Sequence, residues 1–485
     1  MSESTKMTQT QKRILIIGLV PLFMSLLSVS SINVVLPAIA ADIHASTSAL
    51  QWVLTGYALS FGVVLVAAGR AGDVFGRGQL FVIGVGLFGL SSLVAGIAPD
   101  PLTLNISRVT MGLGSGFLNP QVVGLLQQYF QGPPRGRAFG LMGTTVGLSV
   151  AVGPVLGGAL IALFGSGLGW RATFLVNVPF AIASLILARV WLPSGAWRAA
   201  VAQDGKSAED GKSTEDGKDL DPVGVILLGI GVLLILLPFV ESSLGWFIWL
   251  SLPLGVGAIW LWAWWERRYA RLGRPPMVDL DLFRIRSFSN GSIIIALYFL
   301  GVTSVWVLVA MYMQQGLGHT ALAAGMIGLP AALCSAVSAD VSGRFVFQIG
   351  RRLVVWGIAL CLVGLVATIG VVALLSRGIG SEWWMLLTLA FIGTAQGMVI
   401  SPNQTLTLQE VPLRYAGSSG GVLQTGQRIG TSMGLAIMTA LAFSITAVSN
   451  WHWGMIAAFV AIALVVVLAG AVGIVEVRRG GPRRA

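Results

Sequence analysis

Two arginines stand inside long apolar stretches of this chain: Arg108, in Asn105-Ile106-Ser107-Arg108-Val109-Thr110, and Arg428, in Gln427-Arg428-Ile429-Gly430. A guanidinium keeps its charge, and a charge at membrane depth costs several kcal/mol unless it faces protein or water. Placement alone makes both candidates for solute binding or proton-linked gating; the bland alternative is an arginine near a helix end that snorkels to the interface. Acids are scarcer still, Asp340 being the one carboxylate within those stretches. Asp73 and Arg77 lie a helical turn apart in a short connector, spaced to pair with each other or with helix ends, against the alternative of solvated charges in a tight turn. Enzyme chemistry lacks its parts. No His/Asp/Ser or metal-spaced set falls in an apolar run, His44, His319 and His452 lie in expected loops, and Cys334 and Cys361 read as small core residues. No catalytic residue, metal site or cofactor is expected.

What holds such charges has to be helix solvated by lipid. The 485 residues are 55% hydrophobic and 10% charged, whereas soluble domains carry about 25% charge. Fourteen apolar runs approach the roughly 20 residues that a span needs: 14–37, 49–68, 79–97, 102–127, 138–163, 172–188, 222–240, 246–265, 289–313, 321–342, 353–375, 383–405, 418–444 and 453–475. The expected class is an all-α polytopic membrane protein. The first run is too long for a signal-peptide core and many follow it, so it reads as a retained helix. Cytoplasmic loops carry the excess of Lys and Arg. Of the 30 here, only Arg171 and Arg377 fall outside the inner segments, besides the two intramembrane arginines. That places both termini in the cytoplasm, with the chain in the cytoplasmic (inner) membrane among its lipids. A net charge of +11 could suggest nucleic acid, but basic residues scattered over every inner loop follow topology instead, and no nucleic-acid partner is expected. Over 204–221 a six-residue unit repeats as DGKSAE, DGKSTE and DGKDLD; polar and poor in core formers, it predicts a disordered linker.

The connector at 69–77 recurs. Gly69, Arg70, Gly76 and Arg77 return as Gly343, Arg344, Gly350 and Arg351 at one constant offset, each copy between a pair of apolar runs, which predicts a duplicated membrane unit. Phe347 stands where Asp73 maps, so the second copy is expected to lack an acidic latch. The connector resembles the loop between the second and third helices of the major facilitator superfamily. Residues 30–37, 51–57, 170–179 and 417–434 are similar to stretches of its fourteen-span drug:proton antiporter family. The most specific signal lies in the fifth run, where Gly143, Gly147 and Ala151 make a stripe for close packing and Pro154 removes a hydrogen bond and bends the helix. Gly147, Gly153, Pro154, Gly157 and Gly158 there resemble the antiporter motif of exporters, which typical importers lack.

The resemblance implies the major facilitator fold: two pseudo-symmetric six-helix bundles, at 1–193 and 266–485, with two inserted helices at 222–265 and the linker at 194–221, fourteen transmembrane helices in all. It implies that Asp73 and Arg77 form a latch used in one of the alternating states, and that Arg108 is tied to proton coupling, although Met111 replaces the usual glutamine. Where the family carries a first-helix aspartate this chain has Ser28, so coupling through a carboxylate at that position is not expected. Candidates for a polar substrate cavity are Ser28, Asn33, Trp52, Tyr57, Asn119, Gln121, Gln396 and Asn403. Trp52 fits an interfacial belt equally well, and amides such as Gln396 and Asn403 also serve as interhelical glue. The expected function is secondary active export of small organic amphiphiles or drugs by alternating access, with a small-molecule substrate and protons as partners and a monomer as the working unit. The alternatives are an exporter of anionic, zwitterionic or lipid-like solutes coupled in another way, favoured by two arginines against one acid, and a membrane sensor that moves nothing.

Overall fold

A computed structural model describes residues 7–198, 219–241 and 245–479, and among these there is no strand. The helices are α1 (Gln9–Asp42), α2 (Thr47–Phe75), α3 (Arg77–Gly96), α4 (Pro101–Tyr129), α5 (Gly132–Leu175), α6 (Asn177–Trp191), α7 (Pro222–Val240), α8 (Ser251–Arg271), α9 (Arg286–Met311), α10 (Ala321–Met326), α11 (Leu329–Ile349), α12 (Arg351–Leu375), α13 (Met385–Thr407), α14 (Ala416–Val448) and α15 (Trp451–Arg478). Side-chain oxygens satisfy the first amides of several: Thr8 and Gln11 form a capping box on α1, Asp100 caps α4 and Asp221 caps α7.

Among the described residues, twelve helical stretches are long and apolar enough to cross a membrane. They differ from the fourteen expected runs in two places. α4 is not among them, because Asn105, Arg108, Asn119, Gln121, Gln127 and Gln128 interrupt its apolar character. The runs 138–163 and 172–188 are joined in one stretch, Gly132–Trp191. α5 continues past Pro154, the break in its helical backbone lies at Gly165 (φ 76°), and Val176 alone separates it from α6. Helices also outrun the apolar runs, so that α8 takes in Glu266 and α15 takes in Glu476. Most of the expected linker, 199–218, lies outside the described residues, but its two ends are built into the fold. Ser194–Trp197 form a short 3-10 turn against Gly76, and Asp219 and Asp221 are hydrogen-bonded to α8.

The described residues of 1–131, 152–284 and 411–425 form one compact unit, and those of 132–151, 285–410 and 426–485 a second; α5 and α14 give residues to both. In the first, glycines let α4 approach α2: a Cβ on Gly112 would stand 2.0 Å from Ser60 Oγ and one on Gly116 2.2 Å from the Val64 side chain. α7 lies along α2, where Thr55 Oγ1 donates to Glu241 at 2.9 Å and Arg70 reaches the Asp219 carbonyl at 3.4 Å. In the second, α9, α12, α13 and α15 enclose a core that includes Ile294, Tyr298, Val354, Leu389 and Phe459. The opening of α5 packs there on α11, where a Cβ on Gly143 would stand 3.0 Å from the Ala339 side chain and one on Gly147 3.4 Å from the Ala332 carbonyl oxygen, the close approach that a small-residue stripe permits.

Candidate functional site

Gly76 makes the first connector possible. Its φ of 110° lies where glycine alone is at ease, and a Cβ would stand 2.6 Å from the Trp197 carbonyl oxygen. α2 thus ends and α3 begins around one residue, which leaves Asp73 and Arg77 side by side and buried, 0% and 2% exposed. Arg77 Nη2 and Nε lie 2.8 and 3.2 Å from Asp73 Oδ1. The same carboxylate accepts the backbone N–H of Gly417 (2.9 and 3.1 Å) and of Ser418 (2.9 Å). These are free amides of the first turn of α14, where the helix dipole favours an anion. Arg77 completes the cluster by donating to Gln128 Oε1 and the Leu413 carbonyl, both at 2.7 Å. The pair expected from spacing is therefore a tie to a segment 344 residues later in the chain.

Arg108 is 1% exposed, so it is enclosed by protein and does not snorkel. Its Nε donates to the Val53 carbonyl (2.8 Å) and its Nη1 to Ser28 Oγ (3.2 Å). The guanidinium lies 4.5 Å from the Tyr57 ring centre and 5.9 Å from that of Phe174, within cation–π range. Tyr57, itself buried, meets Ser115 Oγ through its hydroxyl at 2.6 Å. Among the described residues no carboxylate pairs with Arg108. Ser28 and Arg108, singled out for separate reasons, meet here, and an aspartate at position 28 would bring a carboxylate to the guanidinium. Arg428 is half-buried on the part of α14 that belongs to the second unit.

The second connector corrects one expectation. Arg351, the counterpart of Arg77, is buried and does have an acid: its Nε lies 3.0 Å from Glu476 Oε1 of α15, and it also donates to Asn403 Oδ1 and the Ser287 carbonyl. The acid comes from another helix, in place of the residue lost at Phe347. The apolar stretches hold the one acid expected, but four more, Asp221, Glu241, Glu266 and Glu476, are buried just beyond their ends. Drawing spans by apolar composition stopped just short of each. Asp340 is committed to Arg344, one turn on and 53% exposed.

The remaining candidates divide by burial. Gln121 donates to the Ala68 carbonyl at 2.7 Å and sits over Gly72, whose Cβ would lie 1.9 Å from its Oε1; Asn403 donates to the Gly291 carbonyl at 2.9 Å. Both are interhelical ties, because helices that approach at glycine leave carbonyls for an amide to reach. Asn119 is buried and bonded within α4 to the Ser115 carbonyl. Gln396 is half-buried, while Asn33 and Trp52 are exposed, the latter as a belt residue would be. In the fifth-run motif, a Cβ on Gly153 would fall 1.8 Å from Ser30 Oγ and one on Gly157 3.2 Å from the Ser31 carbonyl, whereas Gly158 has nothing within 4 Å. Close contact with α1 therefore requires the first two glycines and not the third; Pro154 between them is half-buried.

The chain matches the family model described as Major Facilitator Superfamily over residues 19–220 and 222–435. Relatives include the probable actinorhodin transporter of Streptomyces coelicolor, 30% identical across 87% of this chain and 71% of its own. The tetracenomycin C resistance and export protein of Streptomyces glaucescens is 30% identical across 84% and 71%, and the puromycin resistance protein of Streptomyces alboniger 30% across 86% and 78%. Among solved structures, a human organic anion transporter aligns with a TM-score of 0.62 at 14% identity, over 96% of this chain and 99% of its own. A proton:xylose symporter aligns with a TM-score of 0.67 at 14% identity, over 97% and 96%. Identity that low speaks to the fold alone. An all-helical fold, a family match over most of the length and relatives at 30% identity lead to one conclusion: the chain belongs to the major facilitator superfamily and is a membrane transporter rather than an enzyme.

Proposed function

We propose that the protein exports small organic, antibiotic-like amphiphiles from the cytoplasm in exchange for protons, by alternating access. The observation that carries export is the seating of Gly153 and Gly157 on Ser30 and Ser31 of α1, in the stretch that resembles the exporters' motif; relatives named for antibiotic export or resistance support it. Fourteen spans follow if α4 is counted and 132–191 is divided at its break, with both termini inside, and a single copy suffices to transport. Asp73 and Arg77 act as the latch that one state makes and the other releases. A second reading concerns the solute. Arg108 is a buried cation whose partners are a hydroxyl, a carbonyl and two rings, which favours anionic, zwitterionic or neutral solutes over cations.

Inside-out vesicles carrying the purified chain, given an imposed pH gradient, test both. Uptake of puromycin, the drug named for one relative, with proton movement in the opposite direction, is the expected result. Fluorescein is expected to be taken up better than ethidium. Uptake indifferent to the gradient would sink the antiport reading, and preference for ethidium would sink the second.

A further inference from the structure

The inserted helices meet at two carboxylates to which the proposed function gives no part in transport. Asp221 opens α7, Glu266 stands near the end of α8, and both are buried, 0% and 1% exposed. A Cβ on Gly224 would lie 2.3 Å from Asp221 Oδ2 and 2.9 Å from Glu266 Oε1, so the two acids crowd one glycine. Asp221 is provided for as an anion. It accepts the Gly224 N–H at 3.0 Å and Trp265 Nε1 at 2.8 and 3.0 Å, and it holds a left-handed backbone (φ 48°) to do so. Glu266 is less firmly held. Its Oε2 accepts the Met277 N–H at 3.0 Å, and the Val278 N–H and the Trp262 indole are directed at the same carboxylate, but the buried Oε1 closes no hydrogen bond of good geometry.

The charged groups around the pair are engaged elsewhere. Asp219 accepts the Tyr269 hydroxyl and the Asp221 N–H. Burial pushes its carboxyl up, but those two donors, with Arg274 and Arg70, outweigh it and hold the group below the usual carboxylate range. Arg70 reaches the Asp219 carbonyl, Arg274 lies over the Tyr269 ring at 5.7 Å, and Arg267 and Arg268 are exposed. Two buried carboxylates this close cannot both ionise cheaply without a cation between them. One shared proton solves the problem, and it belongs on Glu266, whose buried Oε1 closes no hydrogen bond, rather than on Asp221, both of whose oxygens accept one.

We propose that Asp221 and Glu266 together hold one exchangeable proton, carried on Glu266, and that it is the coupling proton for which Ser28 offers no carboxylate. The site stands on the geometry; its coupling role rests on the antiport reading above. The step is simple to balance: hydronium yields a proton, an O–H bond forms on Glu266 Oε1, and the same proton returns to water when the carboxyl ionises. α7 runs along α2, the helix that ends in Asp73, through the Glu241 and Asp219 contacts, which gives ionisation a route to the connector.

Infrared difference spectroscopy of the full chain, stepped through pH, reads the carboxyl directly. A protonated-carboxyl band at neutral pH is expected, absent in Glu266→Gln and ionising at lower pH in Asp221→Asn, where the neighbouring negative charge is gone. Both variants can keep the Met277 and Gly224 hydrogen bonds, and thermal melting checks that they fold. No band, or a band that Glu266→Gln retains, overturns the site. In vesicles with puromycin as the probe, Glu266→Gln is expected to lose gradient-driven uptake at least tenfold, about 1.4 kcal/mol or more, while counterflow without a gradient persists. Undiminished gradient-driven uptake in Glu266→Gln overturns the coupling role even if the band is confirmed. A wild type whose puromycin movement ignores the gradient overturns the antiport reading and the coupling role together, and the spectrum then decides the site alone.

Discussion

Arg77 and Arg108 are guanidiniums buried in the same unit, 2% and 1% exposed, in opposite company. Arg77 faces a carboxylate at 2.8 Å that also caps the start of α14. Arg108 faces a hydroxyl, a carbonyl and two aromatic rings. Taking a charge out of water costs several kcal/mol, and a well-placed counter-charge offsets much of it. The neutralised arginine fits the proposed latch, and the other is held with no counter-charge, which accords with the proposed use in transport. Arg351 sharpens the contrast. Phe347 stands where an acid would be in register, and Glu476 of α15 supplies the counter-charge instead.

The comparison can be broken most forcefully at Asp73. Asp73→Ala leaves Arg77 buried without its acid and uncaps α14, and should cost about 3–5 kcal/mol, read as a large fall in thermal midpoint together with loss of vesicle transport. Adding Arg77→Ala should cost less than the sum of the two single changes. At the second connector Glu476→Gln should cost about 1–3 kcal/mol, less than Asp73→Ala, because Asn403 and the Ser287 carbonyl still hold Arg351. Phe347→Asp in that background should return about 0.5 kcal/mol by restoring the acid one turn away. Ser28→Asp makes Arg108 resemble Arg77: melting should hold or rise, while fluorescein uptake should fall about tenfold relative to ethidium, a bias of about 1.4 kcal/mol. Equal effects of Asp73→Ala and Glu476→Gln would erase the distinction drawn between the connectors.

How much of this the sequence made legible depended on whether the cause was local. The paired glycines and arginines of the connectors, and the turn between Asp73 and Arg77, are local patterns, and the fold keeps them. The amides of Gly417 and Ser418 that Asp73 accepts come from a distant segment, and no spacing rule reaches them. Glu266 and Glu476 were invisible for a different reason: apolar composition marks where lipid ends, whereas hydrogen bonds and packing decide where a helix ends. α4 shows the converse: the run 102–127 predicts its length, but polar residues buried against neighbours leave it less apolar than the other spans. For Gln121 and Asn403 the choice between solute ligand and helix tie lay in the carbonyls of Ala68 and Gly291, which only the packed structure brings within reach.

Uptake of fluorescein by inside-out vesicles under an imposed pH gradient, measured for wild type and Arg108→Ala alongside their thermal melting, bears most directly on the claim that the acid-free arginine serves transport. The account predicts at least a tenfold loss of uptake, about 1.4 kcal/mol or more, with melting unchanged or raised. Wild-type uptake in Arg108→Ala, or a loss of uptake matched by collapse of the fold, would contradict it.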